Sequence, residues 1–178
     1  MKRLLSLVIL IFLVSLLIGC NGVVPPPPEE PEEPSQETLQ LIIDYTDQLK
    51  VSRWGNGTVL VKENSYTQEI WEEINQIIDG PVVFKMTSGS DAQIEVVTLD
   101  IGQDGFFFVG FSNYDNFQFN SCVIYMNPAY ENLEKNIYVA AILMACGINE
   151  DKAKEGLTNN MKTVLYWLYR LEPGTFLL

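Results

Sequence analysis

The chain has 178 residues, with 11 Lys and Arg, 23 Asp and Glu, three Cys and no His. The lack of His excludes a Ser-His or Cys-His catalytic base and an imidazole ligand for zinc. The net charge of −12 argues against nucleic acid as a partner, because binding phosphates requires a basic surface. The length fits one domain, and the hydrophobic content of 47% is enough for a core.

The first 20 residues have the pattern of an export signal. Two basic residues precede the apolar run 4–18, and Gly19 precedes Cys20. The run is shorter than the roughly 20 residues that a membrane-spanning helix needs. The pattern resembles the bacterial lipoprotein signal, which implies that residues 1–19 are removed and that Cys20 carries the lipid. We therefore expect an extracytoplasmic protein of the cell envelope, and Asn21 favours the outer membrane in a cell with two membranes.

Residues 20–36 contain the lipidated Cys and a stretch rich in Pro and Glu. Proline fixes φ and like charges repel each other, so this composition predicts an extended stalk that holds the next segment away from the bilayer. Residues 37–178 contain no repeat and no second linker, which predicts a single domain.

The elements of this domain are predicted from apolar periodicity and from turn residues. Ile70, Ile74, Ile77 and Ile78, for example, fall on one face of a helix. In chain order we first predict a helix with apolar residues from Leu39 to Leu49, a strand over 58–62, and a helix that a capping box at 65–68 opens and Asp79-Gly80-Pro81 ends. Four strands follow, over 82–86, 93–98, 106–111 and 121–126. The last two elements are a helix over 129–146, which Gly147 ends, and a helix from Thr158 to before Pro173. This order predicts an α+β fold with helices packed on one mixed sheet.

Five phrases of the domain stand in an order that matches a known family. They are Arg53-Trp54 with Gly57-Thr58-Val59-Leu60-Val61, Ile70-Trp71-Glu72-Glu73-Ile74, Ser90-Asp91-Ala92-Gln93-Ile94-Glu95-Val96, Val123-Ile124-Tyr125-Met126-Asn127-Pro128, and Gly156-Leu157-Thr158 leading to Leu165, Leu168 and Tyr169. Together they resemble the matrixin-like zinc peptidases of the metzincin group over about residues 51–172. The resemblance implies a zincin-like fold, with a mixed, mostly five-stranded sheet packed with long helices.

That family uses the motif HExxHxxGxxH, in which three His hold zinc and the Glu activates the bound water. In the matching stretch, Ala140 and Met144 take the first two ligand positions and Ala141 takes the position of the base. Gly147 is retained at the turn, and Glu150 takes the third ligand position. One carboxylate does not hold zinc against water. The resemblance therefore implies a catalytically inactive domain with no metal or other cofactor.

The same helix has a second interpretation. It is apolar almost all round, which is typical of a buried helix. On this interpretation Ala140 and Met144 are ordinary core residues and no site existed here. The two interpretations differ on whether a groove lies over Ala140 and Met144.

Other candidate chemistry is limited to carboxylates and thiols. Asp100, Asp104 and Asp115 lie near predicted turns, where carboxylates serve hydrolysis or calcium binding in some proteins. Cys122 and Cys146 remain once Cys20 is assigned to the lipid. An oxidising compartment permits a disulfide between them, and two buried free thiols fit the sequence equally well.

The sequence favours a surface-anchored lipoprotein that binds a protein or peptide without cutting it, or that has a structural role in the envelope. A vestigial groove would hold an extended chain by pairing with an edge strand near 121–126, and the aromatic segment 106–111 would supply side-chain pockets. The membrane, through the lipid on Cys20, is the other expected partner. The alternative is a hydrolase that uses carboxylates at an unrecognised site.

Overall fold

The computed structural model of the protein describes residues 33–99, 107–127 and 135–178. The predicted signal, Cys20, nearly all of the predicted stalk, Asp100, Asp104 and the predicted start of a helix near residue 129 lie outside these ranges. The described elements are α1 (Gln36–Thr46), β1 (Arg53–Trp54), β2 (Gly57–Lys62), α2 (Gln68–Ile78), β3 (Val82–Thr87), β4 (Ile94–Thr98), β5 (Phe107–Asp115), β6 (Gln118–Met126), α3 (Lys135–Ala145), α4 (Glu150–Ala153) and α5 (Asn159–Leu168). No helix within the described ranges has the length and apolarity needed to cross a membrane.

One sheet holds all six described strands, and its five longer strands lie in the order β3-β2-β4-β6-β5. β2 pairs in parallel with β3 and β4, and β4 pairs in parallel with β6. β5 is antiparallel to β6, and the two-residue β1 pairs in parallel with the start of β6. The structure confirms the predicted α+β class. The sheet is mostly parallel and has six strands, because β1 adds to the five that the resemblance implies.

The strand at this edge of the sheet is β5 and not the strand that the sequence predicts. Residues Cys122 to Met126 of β6 pair with β4 on one side and with β5 on the other. The prediction of an edge strand over 121–126 is therefore wrong. Among the described residues, no strand pairs with the outer side of β5, so a chain that adds to this end of the sheet would pair with β5.

Local hydrogen bonds explain where the helices begin and end. The Ser35 side chain caps α1 by accepting from Thr38 N, and the Thr158 side chain caps α5 by accepting from Met161 N. The predicted capping box at 65–68 is wrong, because α2 begins at Gln68 with Thr67 as a cap that makes no side-chain bond to the helix. Instead, Thr67 Oγ1 donates to the carbonyl of Asn64.

Burial alternates along the strands and defines the core face of the sheet. Val59, Val61 and Phe84 are buried on the face against which α2 packs, while Val83 and Val97 on the opposite face are 49% and 36% exposed. α3 packs on β5 and β6, and its residues from Val139 to Leu143 are all buried. The buried stripe of α2 and the apolar α3 thus close one core with the sheet, in agreement with their sequence patterns.

Candidate functional site

The residues that match the degenerate zinc motif divide into a buried group and a group that borders a cavity. Ala140 and Ala141 lie inside the core, with 3% and 1% of their surfaces exposed. Met144, on the last turn of α3, is half-buried, and it lines a cavity together with Gly147 and Glu150. Three of the five positions thus line one cavity, whereas Ala140 and Ala141 lie in the core.

This cavity has a volume of about 370 Å³ and walls that are mainly apolar. The apolar walls are Val109 and Phe111 of β5, Phe119 of β6, Met144 of α3 and Ile148. The remaining lining residues are Thr46, Gln48, Gly147, Asn149 and Glu150. The cavity therefore lies beside the edge strand β5, where it meets the ends of α1 and α3.

Gly147 gives the end of α3 the turn that borders the cavity. Its φ is +97°, a conformation that disfavours residues with a side chain. A Cβ atom there would lie 3.1 Å from the Phe119 ring and 3.2 Å from the carbonyl oxygen of Ser52. The chain can therefore turn so close to β1 and β6 only because this position is Gly, as the sequence predicted for the end of the helix.

Two buried side chains bind the carbonyls at the end of α3 and just after it. The indole Nε1 of Trp54 donates to the carbonyl of Ala145 at 2.8 Å, and Tyr169 Oη donates to the carbonyl of Cys146 at 3.2 Å. These carbonyls lack donors within the helix, so the two side chains satisfy groups that would otherwise be buried and unpaired. The end of α3, and Met144 with it, is fixed in place by these bonds.

Two aromatic rings form the wall of the cavity on the side of the sheet. Phe111 is 38% exposed and stacks on Phe119, with 4.3 Å between ring centroids and 27° between planes. Phe119 in turn packs against Trp54 in the core. The exposed ring of Phe111 is therefore supported from behind and offers a flat apolar surface beside β5.

The polar residues of the cavity differ in how their hydrogen-bonding groups are paired. Gln48 Oε1 is buried and accepts no hydrogen bond from the residues that the structure describes. Glu150 accepts a 2.6 Å bond from Lys154, and this bond raises the pKa of Lys154. Asn149 is used internally, because its side chain donates to the carbonyl of Asp44 and accepts from Lys152 N.

The residues at the motif positions do not fit the zinc ion that the active members of the resembled family hold. Ala140, Ala141 and Met144 supply no nitrogen or oxygen ligand, and Glu150 is already paired with Lys154. Throughout the described ranges, no three side chains among Cys, Asp and Glu are grouped so that they could hold a metal ion. Glu150 is also the only carboxylate among the residues that line this cavity, so the cavity lacks the paired carboxylates that acid-base hydrolysis uses.

The two candidate cysteines lie in the core near the cavity. Cys122 on β6 and Cys146 after α3 are both free, buried thiols. Burial raises the pKa of Cys122 to about 12. Burial also raises the pKa of Cys146, and this effect outweighs that of the hydrogen bond with Tyr169, which lowers it. Neither thiol is in the thiolate form that a nucleophile needs near neutral pH.

Sequence reasoning missed Thr46, Gln48, Ile148 and Asn149 as cavity residues. Gln48 lies just after Asp47, the left-handed residue that ends α1, and no periodic pattern marks such a position. Comparisons of the chain with protein-family models, with curated proteins and with solved structures find no significant match. The function must therefore be argued from the cavity and from the edge of β5.

Proposed function

We propose that the protein is an envelope lipoprotein whose zincin-like, non-catalytic domain binds an extended peptide. The peptide pairs with the outer side of β5 and places one side chain in the cavity beside Met144. The observation that carries the proposal is the position of the cavity, which two residues of the edge strand, Val109 and Phe111, line directly.

Strand geometry explains how one peptide would use both features. An added strand satisfies its own amides and those of β5 through main-chain hydrogen bonds, and its alternate side chains point to the same face of the sheet. Phe111 projects from β5 on the face where α3 packs, since it stacks on Phe119 and lines the cavity. A peptide side chain on that face would contact the Phe111 ring and enter the cavity.

The zincin-like part of the proposal rests on the order of the elements. What supports it is that α2 lies between β2 and β3, and that the buried helix α3 follows the last strand, in the same order as the phrases that carry the resemblance. Its non-catalytic part rests on Ala140, Ala141 and Met144, which bring no chemistry to the positions of the motif. Binding without cleavage is then the function that this geometry supports best.

The proposal is tested by the binding of short strand-forming peptides. The probes are blocked pentapeptides, acetyl-Thr-Val-X-Val-Thr-amide, in which X is varied over the natural residues. They are titrated by calorimetry into the full chain in detergent micelles. We expect a subset of X to bind, and we expect N-methylation of alternate amides to abolish binding because it removes strand pairing.

Two substitutions that introduce the same side chain locate the binding site. Met144→Arg places a long side chain in the cavity, and we expect it to weaken peptide binding at least about tenfold, since the ligand side chain must be displaced. Val83→Arg introduces the same group on the opposite face of the sheet, and we expect binding to be unchanged. Circular dichroism checks that both variants fold. Failure of every peptide to bind, or equal binding to the Met144→Arg variant, would refute the proposal and leave a structural role in the envelope.

A further inference from the structure

We infer that the side chain that enters the cavity is cationic, so that the ligand is an extended peptide with a Lys or Arg at this position. The inference rests on the proposed function, and it names the chemistry of the ligand. Three features of the cavity support it: an unpaired acceptor, an acidic rim and an aromatic wall.

The unpaired acceptor is the side-chain oxygen of Gln48. A buried carbonyl oxygen without a donor is costly, by about 1–3 kcal/mol for a typical group. Gln48 lines the cavity, and its Oε1 accepts no bond from the described residues. A ligand that brings an N–H donor to this oxygen would therefore satisfy it.

Two acidic segments, residues 44–47 and 150–155, reach the cavity at Thr46 and Glu150 and are called its acidic rim here. The two segments are joined by bonds from Asn149 to the carbonyls of Tyr45 and Asp44, at 2.8 and 3.0 Å. The carboxylates in these two segments are Asp44, Asp47, Glu150, Asp151 and Glu155, against two lysines. Both lysines are already paired, Lys152 with Glu155 and Lys154 with Glu150. The excess negative charge favours a cationic ligand and disfavours an anionic one.

The aromatic wall suits the apolar stem of a long cationic side chain. Lys and Arg bury their methylene groups on apolar surface while the charged end reaches polar groups. Phe111 and Met144 would contact the stem, and the exposed face of Phe111 also attracts a cation. The charged end would then lie between Gln48 Oε1 and the carboxylate of Glu150.

The adjoining cavity already holds an ammonium group of the protein itself in a similar setting. That cavity shares Gln48 with the first, and in it Lys50 Nζ lies 4.9 Å from the centroid of Phe117 and 4.3 Å from that of Phe176. Lys50 does not line the cavity beside Met144. The positive charge of Lys50 is thus directed to the neighbouring cavity.

The test compares three of the pentapeptides, with Lys, norleucine or Glu at X, on the full chain in detergent micelles. Norleucine has nearly the length of Lys without the charge. We expect the Lys peptide to bind about tenfold more tightly than the norleucine peptide, the size of one charge-assisted hydrogen bond, and the Glu peptide to bind most weakly. We expect the preference for Lys to shrink at high salt.

Matched variants assign the preference to the cavity. We expect Glu150→Gln and Gln48→Leu each to reduce the preference for Lys over norleucine to about threefold or less. Glu63→Gln removes the same charge from an exposed residue that does not line the cavity, and it should leave the preference unchanged. Equal binding of the Lys and norleucine peptides, both lost with Met144→Arg, would overturn this inference while the proposed function stands. Loss of all peptide binding by the parent would overturn both.

Discussion

The buried thiol of Cys122 makes the free energy of unfolding depend on pH in the alkaline range. Burial raises its pKa from the ordinary value of 9.0 to about 12, so the folded protein keeps a proton that the unfolded chain releases above pH 9. The stability that this group contributes is complete below pH 9 and falls as pH rises toward 12, by about 1.4 kcal/mol per pH unit for one proton. Cys146 and Tyr169, whose pKa values burial also raises, add to the same slope.

We therefore expect the free energy of unfolding to be nearly constant from pH 7 to 8.5 and to fall steeply above pH 9. Urea unfolding at a series of pH values measures this dependence. Cys122→Ala is the matched control, because it removes one titrating thiol and should reduce the alkaline slope by one proton. A slope that this substitution leaves unchanged would show that Cys122 is not a buried free thiol in the folded protein.

The two buried tryptophans differ in their hydrogen bonds. Trp54 Nε1 donates to the carbonyl of Ala145, whereas Trp71 Nε1 is buried and has no partner among the described residues. Replacement by Phe removes a similar volume from each site. At Trp54 it also leaves a carbonyl at the end of α3 unpaired, while at Trp71 it removes an unpaired donor.

We expect Trp54→Phe to lower the free energy of unfolding by about 2 kcal/mol more than Trp71→Phe does. Denaturant unfolding of the two variants and the parent, followed by circular dichroism, gives this difference. Equal losses would mean that the bond to Ala145 contributes nothing, and that the end of α3 is held by packing alone.

At the scale of the elements, the turn after α3 depends on Gly147, and Gly156 provides a comparison. Both have positive φ, +97° and +76°, but a Cβ at Gly156 would meet no atom within 4 Å. Ala at Gly156 should therefore cost only the backbone strain, about 1 kcal/mol. Ala at Gly147 should cost at least about twice as much, because its Cβ would also press on Phe119 and on the carbonyl of Ser52.

Thermal and denaturant unfolding of the two alanine variants tests this difference. The Gly147→Ala variant has a second expected effect, since the shift that it forces on Phe119 disturbs the aromatic wall of the cavity. Peptide binding should thus weaken for Gly147→Ala and stay unchanged for Gly156→Ala. The opposite order of stability would mean that the turn after α3 adjusts freely.

The elements were largely predictable because their signals are local. Ile70, Ile74 and Ile78 form a buried stripe on α2, and Thr158 caps α5 as its sequence suggests. The order of strands in the sheet was not predictable in the same way. Pairing between β4 and β6 joins residues far apart in sequence, and no local pattern shows that β6 is enclosed while β5 is the edge.

The site was only partly predictable for a related reason. Three positions of the degenerate motif, Met144, Gly147 and Glu150, line the cavity. Gln48 comes from a loop about 100 residues earlier, and a single Gln in a loop has no signature in the sequence. Its significance depends on the absence of a hydrogen-bond donor, which only the packed arrangement of α1, β5 and α3 reveals.

At the scale of the whole molecule, charge has a direct consequence for ligand binding. The chain carries a net charge of −12, to which the four Glu residues of the predicted stalk contribute. Such a field attracts cationic peptides and speeds their association, an effect that falls with ionic strength. The field of the molecule and the acidic rim of the cavity therefore favour the same class of ligand.

Attachment to the membrane is the remaining property that we propose for the whole molecule, and it depends on one thiol. If Cys20 carries the lipid, acyl chains inserted in the bilayer hold the protein there, since each buried methylene contributes about 0.8 kcal/mol. We expect cells that express the full chain to incorporate labelled palmitate into it, and the Cys20→Ser variant to incorporate none. Cys122→Ser removes a different thiol and should keep the full label. Label that persists in the Cys20→Ser variant would mean that another residue carries the lipid. A parent chain without label would refute the lipoprotein part of the proposal. The proposed binding of peptides would still be tested by the calorimetric titrations.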